Sequence, residues 1–303
     1  MLLGALLIGF GIKIPLVPFH TWLPDAHTQA STPVSVLLAG VLLKMGTYGL
    51  LRFCLGMFPE AWALIAPWLA VWAAVSVLYG SLAAIAQRDM KRMVAYSSVG
   101  HMGYILLAAA AATPLSLLGA VFQMISHGLI SALLFLLVGV VYRKTGTRDL
   151  EVLRGLLNPE KGLPFIGTLM ILGVMASAGL PGMAGFISEF LVFRGSLEAF
   201  PLATLLCMVG SGLTAVYFLL LVNRAFFGRM AITAPSDPVA DARLDIRLAA
   251  VAPRETITAT ALAIAVVAIG LFPAWLGRIS ETASTTMAGL PALLAGLQSG
   301  GVS

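Results

Sequence analysis

Eight long apolar runs divide this chain of 303 residues, and they constrain its fold more than any other feature. A helix needs about 20 apolar residues to cross a bilayer. Only 10% of all residues are charged, whereas soluble domains carry roughly a quarter. We therefore predict an all-α polytopic membrane protein with about eight transmembrane helices. The runs cover roughly 1–24, 33–54, 61–86, 92–112, 115–142, 163–197, 201–223 and 256–273.

Two of these runs are predicted to be discontinuous helices. Three prolines interrupt the first run around 11–24, and each removes a backbone donor and clashes with the preceding turn. The sixth run, 163–197, is too long for one span and contains Gly-Leu-Pro-Gly-Met-Ala-Gly at 179–185. Irregular backbone at membrane depth is tolerated only where it is buried in protein or lines a wet cavity. Paired interrupted helices indicate an inverted-repeat transporter with an ion site.

The basic residues alternate from loop to loop, which predicts the orientation of the spans. Loops 87–92, 143–162 and 224–255 are basic and are expected in the cytoplasm, matrix or stroma. Loop 25–32 has no Lys or Arg and is placed on the same side by extrapolation. Because the charge is spread over several loops, the net charge of +5 does not indicate nucleic acid as a partner. The basic loops hold Arg88, Lys91, Arg92, Arg143, Lys144, Arg148, Arg154, Lys161, Arg224, Arg229, Arg243, Arg247 and Arg254, whereas the opposite side holds Arg52, Arg194 and Arg278.

Five ionisable residues fall inside the predicted spans: Lys13, Lys44, His101, His127 and Glu189. Ionisable side chains in a membrane are costly and usually mark a functional pathway. Structural alternatives exist: Lys13 can cap carbonyls at the helix break, Glu189 can pair with Arg194, and a single histidine can be a hydrogen-bonded core residue. Two histidines on neighbouring spans suit a proton relay, because histidine titrates near neutral pH.

The sequence contains no motif for nucleotide, metal or redox chemistry. It has no Walker loop, no paired C-x-x-C and no Rossmann fingerprint. Its two cysteines, Cys54 and Cys207, are too few to hold an iron–sulfur cluster. We therefore expect no cofactor in this chain.

Five stretches closely resemble the antiporter-like proton-pumping subunits of respiratory complex I. They follow in the family's order: KIPLVPFHTWLPDAH (13–27), LAGVLLKMGTYG (38–49), AYSSVGHMG (95–103), QMISHG (123–128) and LPGMAGFISEF (180–190). The likeness covers about residues 5–275, and the first string is highly specific. Within the family the chain looks most like the NuoM/NdhD type, chain 4 of the complex. Glu189 stands where the sister L and N types and the Mrp antiporter relatives usually carry lysine.

The resemblance implies a role in proton transfer for each candidate. Lys13 matches the lysine of the first half-channel, on the family's broken seventh helix, and Lys44 matches the central lysine of the eighth. His101 and His127 match relay histidines of the second half-channel. Glu189 matches the terminal group of that half-channel. His20 also matches a family histidine, near the first pathway.

The resemblance further implies partners and cofactors. The chain is expected to sit among other membrane subunits of a complex I-type assembly, including adjacent antiporter-like subunits, in a bacterial or archaeal plasma membrane or a thylakoid membrane. NADH, flavin, iron–sulfur clusters and quinone are expected in partner subunits. The sequence does not identify the electron donor. Two alternatives share this module: a subunit of an Mrp-type cation/proton antiporter, and the membrane subunit of a membrane-bound hydrogenase or formate lyase.

The chain departs from the family in one respect, because members have about fourteen spans and these eight match the seventh to the fourteenth. The helix that carries the glutamate partner of the lysine matched by Lys13 is among the other six. The chain is therefore expected to be a fragment or to pair with a separate polypeptide. We divide it into a remnant of the first antiporter-like repeat (1–60), the second repeat (61–228), a cytoplasmic loop (229–255) and a last span with an amphipathic or interfacial tail (256–303).

Overall fold

The computed structural model describes residues 1–159, 162–229, 231–232 and 251–299, and it is almost wholly helical. Two short antiparallel strands, β1 (Leu153–Arg154) and β2 (Ala231–Ile232), pair in a loop region. The helices are α1 (Leu2–Lys13), α2 (Trp22–Gln29), α3 (Thr32–Leu55), α4 (Pro59–Ile85), α5 (Met90–Ala111), α6 (Pro114–Thr145), α7 (Pro164–Ser177), α8 (Ala184–Ser196), α9 (Pro201–Phe226), α10 (Pro253–Leu271) and α11 (Ala274–Ser299).

The predicted pattern of continuous and broken spans is confirmed. Six helices of the described residues, α3–α6, α9 and α10, are long and apolar enough to cross a membrane. The first predicted run is split into α1 and α2 by the turn at 14–21, and the sixth into α7 and α8 by the turn at 178–183. The six continuous helices and two broken pairs make up the eight predicted spans.

Local sequence signals explain where the helices begin. Six helices start with proline in the first turn, where the missing N–H would have no intrahelical partner: α3, α4, α6, α7, α9 and α10. The Asp89 carboxylate caps α5 by accepting hydrogen bonds from the backbone N–H groups of Lys91 and Arg92. Thr113 and Ser116 form a reciprocal capping box at the start of α6.

Helices α5 and α6 are the most buried spans and form the centre of the bundle. Helix α4 packs along α5, and α8 packs along α6. Small residues permit the second contact: a Cβ added at Gly119 on α6 would lie 2.6 Å from the backbone nitrogen of Val192 on α8. Large exposed side chains such as Leu64, Trp68 and Val75 lie on the outside of α4, as expected of a surface in contact with lipid.

The basic loops lie together on one face of the bundle, as their alternation predicts. The Arg88 guanidinium pairs with the Glu151 carboxylate at 3.1 Å, and β1 pairs with β2 across the next loop. The Arg148 guanidinium donates to the Thr28 carbonyl at 3.3 Å, so the stretch 25–32 belongs to the same face. This stretch is not all loop, because α2 continues to Gln29. The predicted positions Lys161, Arg243 and Arg247 lie outside the described residues, as does most of the predicted loop 229–255.

The tail after the last span is helical. Helix α11 packs against α6 and, less extensively, α4. Its buried residues Leu276, Ser280 and Ser284 lie four residues apart, which places them on one face. Whether this helix lies at the membrane interface stays a prediction.

The contact between α6 and α8 leads to a testable prediction. Replacing Gly119 with alanine forces the two backbones apart and is expected to lower the free energy of unfolding by about 1–3 kcal/mol. The matched control is Gly212→Ala on α9, where an added Cβ meets nothing within 4 Å. The control should be neutral or slightly stabilising, since alanine is the better helix former. Thermal unfolding of the purified protein in detergent measures both; equal stability of the two variants would contradict the packing argument.

Candidate ion-transfer site

Lys44 lies in the middle of α3, and its ammonium group is held by two hydrogen bonds. Its Nζ donates to the Ala39 carbonyl at 2.5 Å and lies 2.6 Å from Nδ1 of His127. A π-helical segment, Leu38–Leu42, precedes Lys44, and such segments are frequent at functional sites. Because an ammonium group can only donate, Nδ1 of His127 is the acceptor, and a neutral His127 carries its proton on Nε2.

His101 on α5 is the next group along from His127 on α6. The centroids of the two rings are 5.2 Å apart, and both residues are buried. Nδ1 of His101 lies 2.7 Å from the Ser97 carbonyl, which accepts only, so Nδ1 is the donor. The other nitrogen, Nε2, faces both the hydroxyl of Ser177 at 3.3 Å and its carbonyl at 3.4 Å.

These contacts suit both protonation states of His101. A neutral ring accepts a hydrogen bond at Nε2 from the Ser177 hydroxyl, whereas a protonated ring donates from Nε2 to the Ser177 carbonyl. The protonated ring also faces the Glu189 carboxylate, whose Oε1 lies 3.9 Å from Nε2. His101 can therefore gain and lose a proton without leaving Nε2 unpaired.

Glu189 lies on α8, just after the break in the second discontinuous span. Its carboxylate is buried, and Oε2 accepts a hydrogen bond of 2.6 Å from the Ser211 hydroxyl on α9. Oε1 has no hydrogen-bond partner among the described residues. The structural alternative for Glu189 is wrong, because Arg194 pairs with Glu198 at 3.0 Å.

Four of the predicted site residues therefore form one continuous row. The row runs from Lys44 through His127 and His101 to Glu189, and α3, α6, α5 and α8 each contribute one member. Its direction is across the helices rather than along any one of them. Such a row can pass a proton laterally through the bundle.

Lys13 and His20 lie outside this row. The side chain of Lys13 is exposed at the end of α1, and its stem lies over Gly46 of α3. His20 is buried in the turn between α1 and α2, where its ring packs edge-on against Tyr79 at a centroid distance of 4.9 Å. No hydrogen bond, ion pair or ring contact joins either residue to the four-residue row in the described part of the chain.

Sequence reasoning missed several polar partners of the row. Ser211 is an isolated serine in an apolar run, and nothing in its pattern distinguishes it. The carbonyls of Ala39 and Ser177 are backbone groups, and only the fold brings them to Lys44 and His101. Among the described residues, no three His, Cys, Asp or Glu side chains cluster in a way that would hold a metal ion.

Fold and site together define an antiporter-like membrane module with a row of buried ionisable groups. Residues 1–214 match the family described as "NADH:quinone oxidoreductase/Mrp antiporter, TM", and the chain belongs to this family.

The relatives within the family point to one type of subunit. The chain is 46% identical to "NAD(P)H-quinone oxidoreductase chain 4 1" of Synechococcus sp. (strain JA-3-3Ab) over 277 residues, which cover 89% of this chain and 51% of the relative. The predicted resemblance to chain 4 is thus confirmed, and the chain spans about half the length of the curated relatives it matches.

Solved structures support the same fold. The chain is similar to a chain of "Respiratory complex I from Thermus thermophilus with bound NADH", with a TM-score of 0.80, 28% identity and coverage of 95% of this chain and 58% of that one. It is also similar to a chain in "Structure of Mrp complex from Dietzia sp. DQ12-45-1b", with a TM-score of 0.79, 24% identity and the same coverage. The second likeness shows the fold alone. The predicted antiporter-like, multi-pass membrane fold is confirmed.

The helix break behind Glu189 leads to a prediction with a matched control. Gly179 has φ +74°, and an added Cβ would lie 3.1 Å from Oε2 of Glu189. Gly146 has the same φ of +74°, but an added Cβ there meets nothing within 4 Å. Alanine at either position should cost about 1–2 kcal/mol of stability, because the left-handed conformation is unfavourable for residues with a Cβ.

Only Gly179→Ala should also disturb the carboxyl group. The infrared band of the Glu189 carboxyl group, identified by its loss in Glu189→Gln, is expected to shift in Gly179→Ala and to stay in place in Gly146→Ala. An equal shift in both variants would show that Gly179 acts through backbone strain rather than through contact with Glu189.

Proposed function

We propose that this chain is a proton-translocating part of a membrane subunit in a complex I-type quinone oxidoreductase. The observation that carries the proposal is the row from Lys44 to Glu189, because it joins four ionisable groups across the centre of the bundle. Buried ionisable groups in membrane spans mark proton relays. The likeness to chain 4 subunits over 89% of the chain supports the assignment.

The geometry suggests an order of proton transfer along the row. The ammonium of Lys44 gives its proton to Nδ1 of His127, 2.6 Å away, while Nε2 of His127 releases its own proton toward His101. This transfer leaves Lys44 neutral and His127 in its other tautomer. His101 takes up the proton at Nε2 and passes it to the Glu189 carboxylate. Nε2 of His127 has no hydrogen-bond partner among the described residues, and the distance of 3.9 Å from Nε2 of His101 to Oε1 of Glu189 exceeds a hydrogen bond, so water is the expected bridge at these two steps.

We assign no redox chemistry to this chain. The electron donor, flavin, iron–sulfur clusters and quinone belong to other subunits, and neighbouring antiporter-like subunits are the partners that would drive the row electrostatically. A charge that arrives next to Lys44 changes its proton affinity, and the change passes from group to group. Lys13 and His20 are assigned to a separate first half-channel, to which Lys13 contributes from the exposed end of α1.

The Mrp-type antiporter stays the second candidate, because a chain of the Mrp complex shares this fold. Glu189 favours the first candidate, since the Mrp relatives usually carry lysine at the matching position. The two candidates differ in what drives transport: electron transfer in the first, and a counter-gradient of cations in the second.

The proposal is tested by replacing Lys44 with alanine in the assembled complex. Proton uptake into inverted membrane vesicles, driven by electron transfer to quinone, is expected to fall by about tenfold or more. The amount of assembled complex, measured on native gels, should change much less. Met45→Ala is the control, because Met45 is the next residue and its side chain is exposed. Near-normal proton uptake in Lys44→Ala would refute the assigned role.

A further inference from the structure

His27, the last histidine of the first signature string, is outside the row and has no role in the proposed function. It lies on α2 and is completely buried. Neither ring nitrogen has a hydrogen-bond partner among the described residues. Its ring stacks on Phe135 of α6, with centroids 4.2 Å apart and an angle of 13° between the planes.

A simple packing role does not explain this residue. A buried donor or acceptor without a partner costs about 1–3 kcal/mol, and an apolar ring would stack on Phe135 without that cost. A histidine in such a position therefore has a use for its two nitrogens. Water is the remaining partner available to them.

The position of His27 along the membrane normal follows from its contacts with α3. The backbone carbonyl of His27 accepts a hydrogen bond of 3.3 Å from the Ser35 hydroxyl. The Ala39 carbonyl, which receives the Lys44 ammonium, lies four residues further along α3. Four residues of helix rise about 6 Å. The backbone of His27 therefore lies roughly one helical turn from the Ala39 carbonyl that receives the Lys44 ammonium.

The helix that carries His27 is bound to cations of the basic face. The Lys91 ammonium donates to the carbonyl of Ala30, at the C-terminal end of the same helix α2, at 2.8 Å. Two other cations bind the same helix: Arg92 pairs with the Asp25 carboxylate in its first turn, and Arg148 donates to the Thr28 carbonyl near its C-terminal end.

Contacts along helix α6 independently show where His27 lies between the row and the basic face. His127, Ser131 and Phe135 follow at intervals of four residues, so they lie on one face of α6. Ser131 donates to the His127 carbonyl, and Phe135 carries the stacked His27 ring. The end of α6 beyond Phe135 reaches the basic face, where Arg143 pairs with Glu255. His27 thus lies between the row and the basic face.

We infer that His27 is a further proton-transfer residue that connects the basic face of the bundle with Lys44. The imidazole takes up a proton at one ring nitrogen from water on the basic side and releases the proton of the other nitrogen toward Lys44. Each cycle leaves the ring neutral in its other tautomer, and rotation of the ring or a returning water chain resets it. This inference rests on the proposed function of the row.

The decisive variant is His27→Gln, which keeps a polar side chain of similar size but cannot relay a proton. In the assembled complex, proton uptake into inverted vesicles is expected to fall about fivefold or more, with assembly on native gels close to normal. Thr28→Ala is the matched control on the same helix, because the Thr28 hydroxyl bonds only to carbonyls of α2 itself. The control should pump as the unmodified complex does.

A second variant keeps the test valid if His27→Gln does not assemble. Phe135→Leu retains the imidazole and removes the ring that orients it, so proton uptake should fall by a smaller factor of about two to three. Lys44→Ala is measured beside both variants. Normal proton uptake in Lys44→Ala would overturn the row itself. If uptake is lost in Lys44→Ala but normal in His27→Gln, the role of His27 alone is overturned. If His27→Gln does not assemble, normal uptake in Phe135→Leu has the same consequence.

Discussion

The hydrogen bonds of the Lys44 ammonium are the contacts on which the rest of the site depends. An ammonium group at membrane depth is tolerable only if its donors are satisfied. Here the Ala39 carbonyl and the His127 ring accept from it, and the second contact joins α3 to α6. The first contact points the side chain back toward the start of α3, as lysine side chains on helices generally do. The ammonium is therefore directed to the side on which His27 lies.

The break in the second discontinuous span provides a free backbone carbonyl, that of Ser177, which can accept a hydrogen bond from His101. The carbonyls of the last helical turn have no intrahelical partner, because the N–H groups four residues ahead are not helical. Helix α7 ends at Ser177, whose carbonyl and hydroxyl both face His101. A continuous helix would have used that carbonyl for its own hydrogen bonds. The Gly-Leu-Pro-Gly sequence thus acts on the site by freeing a backbone group at the depth of the histidines.

Much of this arrangement was predictable from the sequence, and the rest was not, for physical reasons. Apolar length gave the continuous spans, proline and glycine gave the two breaks, and the cost of ionisable groups in a bilayer pointed to Lys44, His101, His127 and Glu189. The contribution of Ser211 and the Ala39 carbonyl depends on tertiary packing and on a local π-helical segment, which no residue type specifies. His27 was given no role because it falls within the predicted loop 25–32, where a histidine usually faces solvent.

The two broken helices use their free carbonyls differently, and the difference explains how the row can communicate with one face of the membrane. Helix α7 ends in the interior, so its last carbonyl serves a proton carrier, His101. Helix α2 ends at the basic face, so its last carbonyls bind fixed cations, Lys91 and Arg148. Cations at a helix C-terminus are stabilising and hold that end in place. The clamp fixes α2, and with it the buried ring of His27, at a set distance from Lys44. This anchoring holds His27 in place for the inferred proton transfer between the basic face and the row.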